Sequence, residues 1–254
     1  MIATVDDLVE RGTELSETGQ RLRLDHTSFS GTDLLRAAQL YKQELVSPLD
    51  TETLFEAGLY CLLSQGLQHR QQFRIFSRLL HEGFGTPDGI KAGFVPLRII
   101  LSRVKYPIRL NNLVQAYASW WLHSSLPARI IEDAQGEKES GVTLRNMVAE
   151  QAPGLGLKCA SLLMRMAGYL DVVPIDIWAL RFLETTGYEF KTPEWKRIRG
   201  ISKTEYSGAE AAFSEYALQN GFNPALLQLV EWCKASKIDF ATQQLLFEGG
   251  ALYD

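Results

Sequence analysis

The sequence predicts an all-α protein. Apolar residues recur at three- and four-residue spacings along most of the chain, as they do on one face of a helix. Alternation of apolar and polar residues, the period of a half-buried strand, is scarce. One short segment rich in proline and glycine, residues 153–156, separates two of the predicted helices. We therefore expect helices joined by tight turns, one of which is a glycine hairpin.

The composition is that of a folded, soluble protein. The chain has 254 residues, of which 46% are hydrophobic, and this suffices for a sizeable core in one large or two small domains. No apolar run approaches membrane-spanning length, and the amino terminus lacks the basic and hydrophobic regions of a signal peptide. We predict a monomeric cytoplasmic protein, associated with the nucleoid if it is prokaryotic, that works away from membranes.

The cysteines and histidines do not suggest a metal centre. The three cysteines, Cys61, Cys159 and Cys233, lie far apart, which argues against a disulfide framework, a zinc site and a four-cysteine iron–sulfur cluster. The four histidines show no ligand spacing. We therefore predict that the protein uses neither a metal nor a cofactor.

The charges are unevenly distributed. The formal net charge is −4, and both ends are acidic, with nine acids against five bases in residues 1–50 and seven against two in 204–254. Between them, residues 68–110 hold eight bases against two acids, and residues 191–203 hold five against one. Such basic segments predict a patch that attracts nucleic acid. Solvated helix faces are the alternative for any single residue.

The glycine hairpin is the feature that first suggests DNA. A predicted helix over residues 143–149 ends at Pro153, and a second begins near Leu157, because proline and glycine end helices. Backbone N–H groups at the start of such a helix suit a phosphate and read no base. The candidate contacts to the DNA backbone are Gly154, Leu155, Gly156 and Leu157.

Lys158 stands in the first turn after this hairpin. It shares one helix face with Ser161 and Arg165, which we expect to look toward solvent or a cleft. A cation is disfavoured at the positive end of the helix dipole, and partial burial there would favour the neutral amine that a Schiff-base nucleophile needs. A solvated lysine is the alternative.

Asp176 follows eighteen positions after Lys158. Pro174 and the spacing predict that Asp176 is the N-cap of a helix over Ile177–Thr185. A carboxylate at a helix N-terminus stays ionised, so the same residue can stabilise a cationic sugar or steer proton transfer. The structural and catalytic interpretations are compatible.

These motifs resemble the helix-hairpin-helix DNA glycosylase superfamily. The resemblance is carried by residues 154–161, 166–169 and 171–176, and it extends more loosely over residues 52–234. Within the superfamily the chain is most similar to the archaeal-type 8-oxoguanine DNA glycosylase/lyases. Their hairpin has a lysine at the position of Lys158, and their invariant aspartate matches Asp176.

The resemblance implies a two-lobed helical fold with the active site in the cleft between the lobes. It also implies a domain organisation: an N-terminal helical extension at 1–50, a glycosylase core at 51–240 and a C-terminal tail at 241–254. Within the core, the hairpin occupies residues 142–168 and the catalytic aspartate segment residues 174–178. The C-terminal helices are expected to pack back on the amino-terminal half.

The resemblance further implies base excision with lyase activity on double-stranded DNA that contains a damaged base. The duplex is kinked, and the damaged nucleotide rotates out of the stack. Lys158 attacks the sugar C1′ and expels 8-oxoguanine with the help of Asp176. The resulting imine allows β-elimination, which nicks the strand.

Further contacts are implied around the active site. A side chain that fills the hole left by the flipped nucleotide is assigned to Gln65, with Gln68 and His69 as competitors; a helix C-cap at Gly66 is the alternative for this junction. The candidate phosphate ligands are Arg98, Arg103 and Lys105.

Aromatic residues are candidates for the base pocket. Trp178 follows Asp176 closely enough to line the same pocket, and Trp120 and Trp121 lie on a predicted helix over residues 110–122. Aromatic rings can sandwich an extruded base. Core packing is the alternative for the tryptophan pair.

Two other functions remain open. The archaeal-type enzymes end in a short basic tail that holds the oxidised purine, whereas residues 247–254 contain no lysine. A glycosylase for another damaged or modified base is therefore the second hypothesis. The third is a non-catalytic helix-hairpin-helix module in which Lys158 only contacts phosphate.

Overall fold

The computed structural model describes residues 1–64, 67, 69–102, 104, 106–136, 140–197 and 200–236. These residues form fourteen helices and one two-stranded sheet. In chain order the elements are α1 Val5–Thr18, β1 Arg21–Leu24, β2 Thr27–Ser30, α2 Gly31–Glu44, α3 Thr51–Leu63, α4 His69–His81, α5 Pro87–Ala92, α6 Phe94–Leu101, α7 Pro107–His123, α8 Leu126–Gln135, α9 Gly141–Gln151, α10 Leu157–Met166, α11 Ile177–Thr185, α12 Glu194–Arg197, α13 Lys203–Gln219 and α14 Pro224–Ser236. The all-α prediction is confirmed.

The small sheet is an element that the sequence pattern does not predict. β1 and β2 pair antiparallel, with Arg21 opposite Ser30 and Leu24 opposite Thr27. Each strand has four residues, and Phe29 is the one side chain in the pair that is buried. An alternation of only four residues cannot be distinguished from the helical periodicity on either side of it. The sequence therefore predicts helices alone over residues 1–50.

Residues 83–93 and 132–141 contain glycines typical of loops, yet both segments are partly helical. Within residues 83–93, Thr86 caps α5 by accepting a hydrogen bond from the Gly89 N–H, and Pro87 occupies the first helical position. Within residues 132–141, α8 continues to Gln135 before the chain leaves the helix. In both segments the glycines and charged residues are typical of a loop, although part of each segment is helical.

The chain forms two compact units. One contains residues 1–44 together with the chain from Val173 onward, and the other contains Leu45–Val172. The predicted domain boundaries at residues 50 and 240 follow from the resemblance and stay a prediction.

The first unit joins both ends of the described chain. Helix α2 packs on α1 and α14, and α11 and α13 pack on α14. Ile2 bridges to the turn after α13, donating to the carbonyl oxygen of Gly221 (2.6 Å) and accepting from the N–H of Asn223 (2.8 Å). Its core includes fully buried leucines from the first two helices, such as Leu8 and Leu34.

Helix α3 is the centre of the second unit. It packs against α4, α7, α8 and α10, and its run from Leu59 to Leu63 is buried. The ring of Phe55 stacks on Tyr117 of α7 at a centroid distance of 5.3 Å. Helix α10 packs on both α3 and α9, so the hairpin between α9 and α10 is supported by this core.

Candidate active site

The hairpin is held by a glycine and a buried leucine. Helix α9 ends at Gln151, and Gly154 has φ of 82°, a left-handed conformation that favours glycine. The Leu155 N–H donates to the carbonyl oxygen of Ala152 (3.2 Å). The Leu155 side chain is 1% exposed, and burying a leucine contributes roughly 2 kcal/mol. This anchor fixes where the next helix begins.

Helix α10 begins at Leu157, as the sequence predicts. Its N-cap is Gly156, which has no side chain to accept hydrogen bonds from the first-turn N–H groups. A Cβ built on Gly156 would meet no atom within 4 Å. The backbone at the start of α10 is therefore open to approach from outside.

Lys158 is half-buried at this position. Ser161 and Arg165, which share a helix face with Lys158, are only 0% and 4% exposed. We expected this face to look toward solvent or a cleft, but beyond Lys158 it is buried. The guanidinium Nη1 of Arg145, on α9, donates to the Ser161 hydroxyl at 3.0 Å. A buried hydrogen bond from a charged donor contributes about 1.5–3 kcal/mol, so it stabilises the angle of α10 against α9.

Sulfur and hydroxyl contacts hold α10 against α3. The Cys159 Sγ lies 3.5 Å from the Ser64 hydroxyl, and the Cys61 thiol donates to the Met166 Sδ at 3.7 Å. One of these contacts falls at each end of α10. Together with Arg145 they restrict both rotation and translation of the helix that carries Lys158.

Asp176 is the N-cap of α11, as predicted. Its Oδ1 accepts hydrogen bonds from the N–H groups of Trp178 (3.0 Å) and Ala179 (2.9 Å). The side chain is half-buried, so the carboxyl group is held at a fixed place with restricted solvent access.

The segment before Asp176 is fastened to α13 by one phenol. The Tyr206 hydroxyl donates to the carbonyl oxygen of Val173 (3.0 Å) and accepts from the N–H of Ile175 (3.0 Å). The Val173 N–H donates to Glu210 (3.1 Å). Because Tyr206 is 5% exposed, these bonds lie away from bulk water and set the start of α11.

Lys158 and Asp176 are supported by different cores. Lys158 belongs to the unit of residues 45–172, and Asp176 belongs to the unit that resumes at Val173. The helix that carries Lys158 and the segment that carries Asp176 are each held by contacts within their own unit. The arrangement presents a lysine amine after a hairpin and a capping carboxylate, the two groups that the sequence motif predicts.

A family model decides the classification. The model described as 8-oxoguanine DNA glycosylase matches residues 38–222, which cover the hairpin, Lys158 and Asp176. The chain belongs to the 8-oxoguanine DNA glycosylase family. No curated protein sequence is significantly similar to this family member.

Solved structures share the fold of this glycosylase family member. The 8-oxoguanine DNA glycosylase of Thermotoga maritima is 18% identical, with a TM-score of 0.65 over 92% of this chain and 99% of that chain. The enzyme of Methanocaldococcus jannaschii is 16% identical, with a TM-score of 0.62 over 91% and 94%. The M. jannaschii 8-oxoguanine glycosylase/lyase in complex with 15mer DNA containing 8-oxoguanine is 18% identical, with a TM-score of 0.65 over 91% and 98%.

The tryptophans of this glycosylase family member have different surroundings. Trp121 is 5% exposed and packs edge-on against Phe55 at 5.3 Å, which is what the core-packing alternative expects. Trp120 is half-buried beside Tyr117 at 5.7 Å. Trp178 is half-buried, with the guanidinium of Arg181 over its ring at 4.9 Å. A base-pocket role for the three tryptophans stays a prediction.

The remaining predicted contacts are less completely described. Gln65, Gln68, Arg103 and Lys105 lie outside the described residues. His69 is the first residue of α4, and Arg98 is exposed on α6. Their roles as duplex wedge and phosphate ligands stay predictions.

The described residues contain no cluster of three or more histidines, cysteines or acids that could hold a metal ion. Within the same ranges, no helix combines the length and hydrophobicity needed to cross a membrane.

Arg145 and Tyr206 support the elements that carry Lys158 and Asp176, and the sequence did not reveal them. Arg145 lies in α9 within an ordinary helical pattern, and Tyr206 lies near the start of α13. Their partners are 16 and about 30 positions away along the chain, and no local spacing encodes such pairs.

Alanine at the two hairpin glycines should give opposite results. Gly154→Ala forces a Cβ into the left-handed region and should cost about 1–2 kcal/mol, which thermal unfolding would detect as a fall in Tm of about 2–4 °C per kcal/mol. Gly156→Ala meets no atom of the protein, so its stability should change by less than about 1 kcal/mol. Its affinity for duplex DNA should nevertheless fall about three- to tenfold, because the new methyl occupies the space a phosphate would enter.

Fluorescence anisotropy with a labelled duplex measures the second effect. If Gly156→Ala binds the duplex with wild-type affinity, Gly156 is not part of the DNA contact.

Proposed function

We propose that the protein excises 8-oxoguanine from double-stranded DNA and then cleaves the strand at the abasic site, acting as a cytoplasmic monomer. Excision of this base is the activity of the family whose model matches residues 38–222. The observation that carries the lysine mechanism is the position of Lys158 in the first turn of α10, immediately after the open hairpin. It is the position at which an amine can reach a sugar whose phosphate binds the hairpin.

The hairpin holds the substrate in the proposed mechanism. Backbone N–H groups in the first turn of α10, from Leu157 onward, donate to a phosphate oxygen, and Gly156 leaves room for its approach. The damaged nucleotide rotates out of the duplex, which costs a few kcal/mol of lost stacking. Contacts to the flipped base recover part of this cost.

Lys158 supplies the nucleophile. Its neutral amine forms a bond to C1′ while the glycosidic bond to 8-oxoguanine breaks, and the base leaves with the electron pair and takes a proton. The positive charge that develops on the sugar is stabilised by the Asp176 carboxylate. Opening of the sugar ring then gives an iminium between Lys158 and C1′.

The lyase step follows from that iminium. Loss of a proton from C2′ sends electrons toward the iminium nitrogen, and the C3′–O bond breaks with departure of the 3′ phosphate. Hydrolysis of the remaining imine releases an unsaturated aldehyde and regenerates Lys158. The net result is one excised base and one nicked strand.

Borohydride trapping tests the proposal. Reduction during incubation with a duplex that contains one 8-oxoguanine should convert the imine to a stable amine and give a covalent protein–DNA band in a denaturing gel. The same duplex with guanine at that position is the matched control and should give no band. Peptide mapping of the band should place the adduct on Lys158.

A panel of lesions separates the proposal from the second hypothesis. A covalent band with another modified base and none with 8-oxoguanine would reject the proposed substrate and keep the reaction class. The absence of a band with every lesion and with a preformed abasic site would reject the lyase mechanism.

A further inference from the structure

A long stretch of the second unit contains no carboxylate. From Gly89 to Ile131 the sequence has neither aspartate nor glutamate, although the whole chain carries 30 acids. The same stretch contains six cationic residues, Lys91, Arg98, Arg103, Lys105, Arg109 and Arg129. Among the described residues, Lys91, Arg98, Arg109 and Arg129 are exposed, so they contribute positive charge to the surface of a protein whose net charge is negative.

Apolar side chains are exposed in the same stretch. On α6, Val95 and Ile99 are 65% and 62% exposed, and at the start of α7 Tyr106 and Ile108 are 55% and 64% exposed. They are four of the eight large hydrophobic residues that are exposed in the described parts of the chain. All four fall between residues 95 and 108, on or next to two helices that pack against each other. Exposed apolar patches mark interaction sites.

The opposite side of α6 fixes this surface in place. Leu97 and Leu101 are fully buried and Ile100 is 4% exposed, and α6 packs against α4, α5 and α7. The exposed residues are therefore not an unpacked core face. Arg98 is also exposed. It is three residues after Val95 and one residue before Ile99, so apolar and cationic groups share the outer side of α6.

The chemistry of the surface favours a nucleic acid over a protein. Carboxylates repel phosphates, and the stretch has none, so its charge complements that of a nucleic acid. Proteins that bind the DNA minor groove combine arginine or lysine with aliphatic side chains that press against sugars and base steps and help to bend the duplex. Val95, Ile99 and Ile108 provide the aliphatic groups, and Arg98 and Arg109 provide the charge.

We infer that the α6–α7 surface, formed by Val95, Arg98, Ile99, Tyr106, Ile108 and Arg109, contacts the minor groove of the duplex beside the lesion. This inference rests on the proposed function, because it needs double-stranded DNA as substrate. The apolar side chains pack against deoxyribose and base edges, and the arginines bind the flanking phosphates. The contact widens the footprint beyond the hairpin and supports the bend that flipping requires.

Binding to an undamaged duplex tests the inference without any catalytic step. The double variant Val95→Ser/Ile99→Ser should bind the duplex about tenfold more weakly, with an unchanged dependence of affinity on salt, because no phosphate contact is lost. Arg98→Gln should weaken binding and reduce the slope of log affinity against log salt by about 0.9. Ile108→Ser is an independent second variant that should weaken binding about threefold.

Leu218→Ser is the matched control. Leu218 is 61% exposed on α13, in the other unit, so the same change of chemistry at the same exposure should leave duplex affinity unaltered. Thermal unfolding of each variant shows that the protein is folded before binding is measured.

Three results would overturn the inference. The first is duplex affinity in the double variant and in Ile108→Ser equal to that of the control. The second is an equal loss of affinity for single-stranded DNA, which has no minor groove. The third is an unchanged duplex affinity of the variants together with a lower molecular mass than that of the wild type in light scattering. This result would assign the surface to contact between copies of the chain. Failure of 8-oxoguanine excision by the wild type would instead reject the proposed function, and the two failures are read from separate assays.

Discussion

Lys158→Gln is expected to lower the single-turnover rate of 8-oxoguanine excision by about 10⁴-fold or more, since loss of a covalent nucleophile has effects of that order. Glutamine keeps the length and polarity of the side chain but cannot form an imine. Because the hairpin N–H groups are untouched, the affinity for duplex DNA should change by less than about threefold. Gel assays of base release and anisotropy with the same duplex measure the two quantities.

Lys158→Arg separates charge from nucleophilicity. Arginine keeps the positive charge but is not deprotonated in proteins, so this variant should be as inactive as the glutamine variant. If Lys158 only contacts a phosphate, the outcome differs: Lys158→Gln would weaken binding uniformly and make its salt dependence shallower, and Lys158→Arg would restore both. That result would support the non-catalytic module.

Asp176→Asn is expected to slow excision by about 10²–10⁴-fold while leaving the fold and the duplex affinity intact. Asparagine caps helices about as well as aspartate, and its carbonyl oxygen can still accept from the Trp178 and Ala179 N–H groups. The substitution therefore removes the negative charge and keeps the cap. Single-turnover excision and thermal unfolding, measured on the same preparation, separate the two roles.

Asp176→Ala provides the comparison, because it removes both roles. It should be as slow as the asparagine variant and less stable by about 1 kcal/mol. Wild-type excision by Asp176→Asn would show that the residue serves α11 as a cap and has no part in the chemistry.

The elements nearest the motif were the most predictable from sequence. Helix α10 begins at Leu157 and helix α11 spans Ile177–Thr185, as predicted. Local sequence signals determine where these helices begin: the glycines of the hairpin for α10 and the capping carboxylate of Asp176 for α11. Such signals act within one helical turn and depend little on the rest of the protein.

The supports of the site could not be predicted in the same way. The Arg145–Ser161 bond and the two bonds of Tyr206 join residues from different helices, and the sequence pattern specifies which helix faces are apolar but not which helices meet. The sequence does not predict the burial of Arg165 for the same reason. A helix face with a lysine and an arginine is typical of an exposed surface, although packing in this unit buries Arg165.

The pairing of Ile2 with the turn after α13 has a consequence for synthesis. Residues 1–44 are synthesised before residues 45–172, yet their packing partner α14 is synthesised after them. Residues 45–172 are contiguous and can complete their core in the meantime. We therefore expect residues 45–172 to acquire protease resistance during synthesis before the segments on either side of them, and the carboxylate of Asp176 to reach its final position only after translation of α14.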